Sequence, residues 1–187
     1  MSARIYESFK EKGIKLLKEK FSLKNDMAVG KLEKIVISTG LGKVFTDNAK
    51  CAEFLEAVSC VAGQKAVFKK AKKSVAAFKV REGMDTGIKV TLRKAKMFEF
   101  LDRLRNMALP RMREFEGFKV SSINDRCFSF GLKDITIFPE VKELFKNIDH
   151  FGMNINFIFS TNEPKMISEI LRFLGFPFKG DKWGIYG

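Results

Sequence analysis

Three places in the chain hold residues whose types and spacing could do chemistry: the segment Gly40-Leu41-Gly42-Lys43, the single histidine His150, and a run of cations from Gly63 to Gly83. A phosphate-cradling loop needs GxxxxGK followed by Ser or Thr, so that main-chain amides wrap the phosphates and a hydroxyl holds magnesium. Here Val44 follows Lys43 and Ile37 stands where the first glycine belongs. The dinucleotide pattern GxGxxG fails as well, because Phe45 replaces its last glycine. The segment reads as a turn after a strand, where glycines let the backbone of a polyanion approach closely. His150 stands between Asp149 and Phe151 with no GxSxG nucleophile elbow anywhere in the chain. It reads as a surface loop histidine. Cys51, Cys60 and Cys127 are too few for a disulfide framework, and without a CxxC pair they make no zinc site. Cys51 and Cys60 lie on different faces of one helical pattern. The sequence therefore calls for no catalytic, metal or cofactor site.

The cations are another matter. Residues 61–96 carry eleven Lys and Arg against Glu82 and Asp85, which is +9 of the chain's formal +13. So dense a block makes a local field that attracts polyanions. Its centre is GQKAVFKKAKKSVAAFKVREG, with Lys69–Lys73 the tightest cluster. Phe68 and Phe78 interleave with the charges, as base-stacking aromatics do. In a chain with 20 Phe, they are expected instead on the inner face of a strand.

These residues need elements to hold them. The apolar fraction of 45% supports a real core, so the chain is not a disordered basic tail. No apolar run approaches the ~18 residues of a membrane span. The N-terminal stretch holds Glu7, Glu11 and Glu19, which transit peptides avoid, and reads as a structural helix over 4–21 with Tyr6, Phe9, Leu16, Leu17 and Phe21 inward. A strand over Leu32–Ser38 ends at Gly40 and Gly42. Thr46 or Asp47 caps a helix whose stripe is Cys51, Leu55, Val58 and Ala62, and Gly63 stops it. Ala66–Phe68 and Val75–Val80 are short β-prone runs, with a loop bracketed by Gly83 and Gly87. Ile88, Val90 and Leu92 alternate with Lys89, Thr91 and Arg93, one set for the core and the other for solvent or a ligand. A helix from about Lys96 to Ala108 points Phe98, Leu101 and Leu104 inward and ends at Pro110. One or two strands fall in Phe128–Phe138, a short helix over Glu140–Lys146 and a strand over Asn154–Ser160. Asn162 is expected to cap a last helix that Gly175 closes. The order α-β-α-β-β-β-α-β-β-α-β-α predicts an α+β fold: a largely antiparallel sheet with helices packed on one face and a long basic loop. Residues 1–179 read as a single domain, with that loop at about 71–87 and a C-terminal extension over 180–187.

The same basic block carries a resemblance. GQKAVFKKAKKSVAAFKVREG, then GIKVTLRKAKMFEFLDRL and ALPRMREFEGF, with EKIVISTGLG before them and FSFGLKDITIFPE and LGFPF after, resembles the bacterial-type fifth protein of the large ribosomal subunit over about residues 4–179. The resemblance implies a non-enzymatic structural protein without cofactor. It would bind 5S ribosomal RNA in the central protuberance and sit among large-subunit rRNA and neighbouring ribosomal proteins. It further implies that the exposed sheet face meets 5S RNA at positions matching Ser38, Gly40, Gly42, Gln64, Lys65, Lys89, Thr91 and Arg93. The loop would face the elbow of peptidyl-site tRNA and a small-subunit protein at an intersubunit bridge, through Lys72, Lys73, Ser74, Lys79 and Arg81. A-form RNA hides its major-groove bases, so proteins read its backbone, 2′-hydroxyls and loops. Gln64 and Thr91 suit hydroxyls and base edges; Lys65, Lys69, Lys89 and Arg93 suit phosphates.

This chain departs from the family's pattern in places. Ser38-Thr39 stands where Asn-Met is usual, Glu116 reverses a usual Arg, and DRCFSFG is one residue short and lacks the usual glycines. RNA contacts are therefore not carried over for residues 111–130. The tail GDKWGIYG, with Trp183 and Tyr186, runs past the usual end. The implied location is the ribosome of a bacterium or an organelle. The rival readings are a general RNA chaperone without a fixed partner and, more distantly, a phosphate-transfer enzyme using GLGK or a peripheral membrane protein bound through 4–21.

Overall fold

Every fourth residue from Ile5 is buried: Ile5, Phe9, Gly13 and Leu17. A straight α-helix turns every 3.6 residues, so a strict repeat of four drifts off the core. The chain answers with a wider turn. Helix α1 (Arg4–Ser8) runs through a π-helical turn, Phe9–Gly13, into α2 (Ile14–Lys20). That turn keeps the four on one face. Gly13 belongs there because a Cβ would stand 2.8 Å from the Phe9 ring and 3.0 Å from Phe173. Tyr6 and Leu16, expected inward, are exposed instead.

The computed structural model describes residues 4–42, 47–112, 115–145 and 151–180. They include a six-stranded sheet, β2-β3-β1-β6-β5-β4, in which β2 (Val67–Lys70) pairs antiparallel with β3 (Asp85–Leu92) and β4 (Ile123–Asn124) with β5 (Cys127–Leu132). The other strands are β1 (Leu32–Gly40) and β6 (Met153–Phe159). The remaining helices are α3 (Asn48–Ala62), α4 (Lys94–Arg103), α5 (Pro139–Leu144) and α6 (Pro164–Phe173). The α+β class with an antiparallel sheet and packed helices is the one read from the sequence.

The chain divides into two compact units. The first comprises Met1–Ile35, Arg93–Phe130 and Asn156–Gly187. In it α4 buries Met97, Phe100 and Leu101 rather than Phe98, which rests half-buried on Tyr6 with ring centroids 4.9 Å apart. A π turn, Leu104–Ala108, and a 3-10 turn holding Pro110 then end the helix. The strand β4 and its turn, where Asp125 takes a positive φ of 41°, have no counterpart in the sequence reading; two residues are too few to show a period. The last helix is capped at Glu163 with Pro164 in its first turn, not at Asn162. Proline fits that position because its missing N–H would find no helical partner there. Phe118, Phe128, Phe157, Phe176 and Phe178 fill the interior of this unit.

The second unit comprises Val36–Leu92 and Gly131–Ile155. Asp47 caps α3, its carboxylate accepting from the N–H groups of Ala49 (3.1 Å) and Lys50 (3.3 Å). Gly63, at φ 63°, ends the helix in the left-handed conformation that glycine adopts without strain. The buried face of α3 is Cys51, Phe54, Ala57, Val58, Val61 and Ala62, with Leu55 only half-buried. Phe54 stacks on Phe151 at 4.1 Å. Cys51, Cys60 and Cys127 are not joined in disulfides.

Candidate nucleic-acid interface

In β3 the alternation read from the sequence is present: Ile88, Val90 and Leu92 are buried, Lys89 is exposed and Thr91 half-buried. The register with β2 sets Val67 opposite Lys89 and Lys69 opposite Gly87. Directly opposed residues in an antiparallel pair share a face. Lys69, Lys89, Thr91 and Val67 therefore lie together on the open side of these two strands. Lys69 and Lys89 are diagonal neighbours, their backbone positions about 7–8 Å apart. Two like charges so placed repel until an anion lies across them.

Gly87, expected in a loop, is within β3. A Cβ there would stand 3.0 Å from the main-chain oxygen of Thr39, so glycine lets β3 close on β1. On β1 the buried residues include Ile35, Ile37 and Thr39, which leaves Ser38 half-buried and Gly40 exposed on the alternate side. Thr39 is the buried polar residue of the described core, and its hydroxyl donates to the Gly152 carbonyl at 2.5 Å. Its role is internal. Gly42 follows at φ 53°, and both Gly40 and Gly42 have open space where a Cβ would be. The backbone here is bare to an approaching ligand. Lys43–Thr46, which hold the rest of GLGK and one of the two expected caps, lie outside the described residues.

Gln64 and Lys65 fall in the short connection from α3 to β2. The Gln64 amide donates to the Thr91 carbonyl at 3.4 Å, and the Ser59 hydroxyl accepts from the Ala66 N–H at 2.9 Å. These bonds pin the connection to the strand and leave Lys65 exposed. Arg93 lies one residue beyond β3, exposed and extended, as the residue that starts α4.

Residues 71–84 join β2 to β3. Val75–Val80 is not the strand expected there. Val75 and Val80 bridge one another through reciprocal main-chain bonds of 2.9 and 3.2 Å, closing a tight turn with a 3-10 core at Ala76–Phe78. A run with valine at both ends can pair with itself, which a period of two does not reveal. Ala71 is bonded to Met84 (2.8 Å) and Gly83 (3.1 Å), and the Ser74 hydroxyl accepts from the Glu82 N–H at 2.9 Å. Lys72, Lys73 and Lys79 are exposed, as is Arg81. Phe78, expected in the core, is 74% exposed at the tip of the turn, beside Lys79 in the left-handed conformation. Phe68 is half-buried.

Val67 of the second unit joins this face, although the residue pattern alone does not single it out. It is 58% exposed, directly opposite Lys89 and two residues before Lys69 on the same face. Asn154 is exposed on β6 between buried Met153 and Ile155, its Oδ1 3.2 Å from where a Cβ of Gly131 would be. The alternation of β6 carries that signal. In the first unit, Glu116 pairs with Lys179 at 2.9 Å, which holds its carboxyl below the ordinary range. The acid at this position is thus matched within the fold. His150 and the tail residues Trp183 and Tyr186 lie outside the described residues. No helix among the described residues is long and apolar enough to cross a membrane.

Comparison with known proteins agrees along the chain. Residues 25–81 match the family model of ribosomal protein L5, and residues 85–178 match the model of that ribosomal family's C-terminus. The large ribosomal subunit protein uL5 of Clostridium tetani is 44% identical over 180 residues, covering 95% of this chain and 99% of the relative. The uL5 proteins of Clostridium botulinum (strain Eklund 17B / Type B) and Clostridium beijerinckii are each 44% identical over 177 residues, covering 94% of this chain and 98% of theirs.

Proposed function

The chain belongs to the ribosomal protein L5 family, structural and non-enzymatic constituents of the large ribosomal subunit, and from that premise we propose that it binds 5S ribosomal RNA through the open face of β2 and β3. The observation that carries this reading is the placing of Lys69, Lys89 and Thr91 on one face, with the bare Gly40–Gly42 backbone at the end of β1 in the same unit. Phosphate contacts by lysines supply affinity and its salt dependence; hydroxyl and amide groups supply discrimination. Lys65 precedes β2 and extends the cationic set of this unit; Arg93, one residue past β3, opens a segment of the first unit and is proposed only as the next cation along the chain. Gln64, held by the Thr91 carbonyl, keeps its side-chain oxygen free to accept from a 2′-hydroxyl or a base edge. Ser38 contributes a shorter polar group at the margin.

The turn 71–84 has a separate role in this reading. Lys72, Lys73, Lys79 and Arg81 accompany an exposed Phe78, which gives cations for a phosphate backbone and a ring for stacking. This combination suits the elbow of peptidyl-site tRNA, given a base face there open to stacking. A small-subunit protein at the intersubunit bridge is the second partner of the turn. Ser74 acts here by holding the turn, since its oxygen already accepts from Glu82.

Gel-shift titration of 5S RNA with Lys89→Ala/Thr91→Ala tests the sheet assignment. The expected result is at least tenfold weaker binding with an unchanged circular-dichroism spectrum. Unchanged affinity in a folded variant would remove the site from β3.

A further inference from the structure

The first unit contains a cleft of about 820 Å³ that plays no part in the proposed RNA face. Its floor is apolar and buried: Phe9, Leu32, Met97, Ile170 and Leu174. Its lip is apolar too, with Met27 83% exposed and Tyr6 42% exposed. Large side chains left this open around a concave apolar floor mark a binding site rather than ordinary surface.

The rim charges are unequal. Lys10, Lys15, Lys31 and Lys94 face Asp26 and Glu33. Both acids are engaged within the fold, Asp26 with Lys18 at 2.7 Å and Glu33 with Arg126 at 3.5 Å. The Lys18 ammonium also holds the Asp26 carboxyl below its ordinary range, so that carboxylate stays ionised to lower pH. Among the described residues, the Lys31 ammonium reaches the Met27 sulfur, at 3.5 Å, and no carboxylate. Lys10, Lys15 and Lys94 make no ion pair among the described residues. An occupant must therefore bring apolar surface for the floor and negative charge for the rim.

We infer that this cleft docks an acidic amphipathic helix of a partner protein. The lining runs from Tyr6 to Lys15, about 13 Å along the helix axis at 1.5 Å per residue. That length takes two turns of a helix, whose anchors at i, i+3, i+4 and i+7 enter the floor. Its flanking carboxylates then meet the lysines on both sides. RNA fits less well, because its surface is polar and charged except for base faces, and the floor offers aliphatic and aromatic side chains without hydrogen-bonding groups.

The probe is a fluorescein-labelled 15-residue peptide with Leu on one helical face and Glu and Ala elsewhere, compared with its Lys-for-Glu and Gln-for-Leu counterparts by fluorescence anisotropy. The Glu peptide binds, and both counterparts bind at least tenfold more weakly. Met27→Glu and Lys10→Glu/Lys94→Glu each weaken binding tenfold or more with an unchanged circular-dichroism spectrum. Lys72→Ala/Lys73→Ala leaves it unchanged, which separates the cleft from the basic turn. Equal binding of the Glu and Lys peptides, or indifference to Met27→Glu, overturns the inference. So does a loss of 5S RNA affinity in the Lys10→Glu/Lys94→Glu variant without loss of peptide binding, which would make the rim an RNA surface. Dimerisation seen by sedimentation and abolished by Met27→Glu would assign the cleft to a second copy, and overturn it as well.

Discussion

The side-chain amide of Gln64 donates to the main-chain carbonyl of Thr91 across 3.4 Å. The bond joins the connection after α3 to the third strand, and so positions two of the groups proposed to contact RNA relative to one another. Gln64→Ala removes both the bond and the free amide oxygen. We expect 5S affinity to fall several-fold while thermal stability changes little, because one part-buried hydrogen bond contributes about 1 kcal/mol. Lys69→Ala acts differently. It should weaken 5S binding and lower the slope of log affinity against log salt by about one, since one phosphate contact is lost. A Gln64→Ala variant that instead shows the reduced salt slope would show that the amide holds a phosphate-binding cation in place.

The turn 71–84 and the sheet face are separable in this account. Lys72→Ala/Lys73→Ala and Phe78→Ala are expected to leave 5S affinity within about twofold, a margin below the ~1 kcal/mol of one lost hydrogen bond, while reducing translation by ribosomes that carry them. Equal loss of 5S affinity would make the turn part of the 5S site.

Backbone conformation gives a paired test of the fold. Gly117 has φ 100°, and a Cβ would stand 2.9 Å from the Phe178 carbonyl carbon. Gly83 has φ 84° with open space around it. Both Gly→Ala variants strain the backbone by roughly 1–2 kcal/mol. Only Gly117→Ala adds a clash with main chain, which cannot swing aside as a side-chain tip can. Denaturant melts should therefore rank Gly117→Ala well below Gly83→Ala. Equal losses would contradict the close approach of these segments.

Cys51 gives a prediction with a pH sign. Burial raises its thiol pKa above the ordinary 9.0, and the carboxylates of Asp47 and Asp85 push it the same way. The unfolded thiol ionises first, so this contribution to stability is complete below about pH 9 and is lost as pH rises through the folded value. In the folded protein near pH 8, about one unit below the ordinary thiol value, Cys51 should react with iodoacetamide more slowly than Cys60 and Cys127, both half-buried. Three equal rates would contradict the burial of α3 against its unit.

How much of the fold is legible in the sequence depends on the period involved. The alternation of Ile88, Val90 and Leu92 with Lys89 and Thr91 has one structural solution, and the strand is there with that orientation. The cap at Asp47 and the stop at Gly63 likewise follow from local chemistry. The inward face of the first helix does not, because a π turn changes the period midway, and the glycine within it packs against Phe173, a contact far apart in sequence. Phe78 escapes a pattern-based reading because its neighbours Val75 and Val80 pair with each other rather than with a strand. The basic block announces a polyanion site by charge alone. Which lysines share a face comes only from the register of Val67 with Lys89 and Lys69 with Gly87.

The central claim is specific recognition of 5S RNA. Its most direct test is affinity for 5S RNA against a structured RNA of equal length, across a salt series. The account predicts a strong preference for 5S that persists near ~0.2 M salt, where purely phosphate-driven binding fades. Equal binding to both RNAs, collapsing together with salt, would contradict it and leave a general RNA-binding surface.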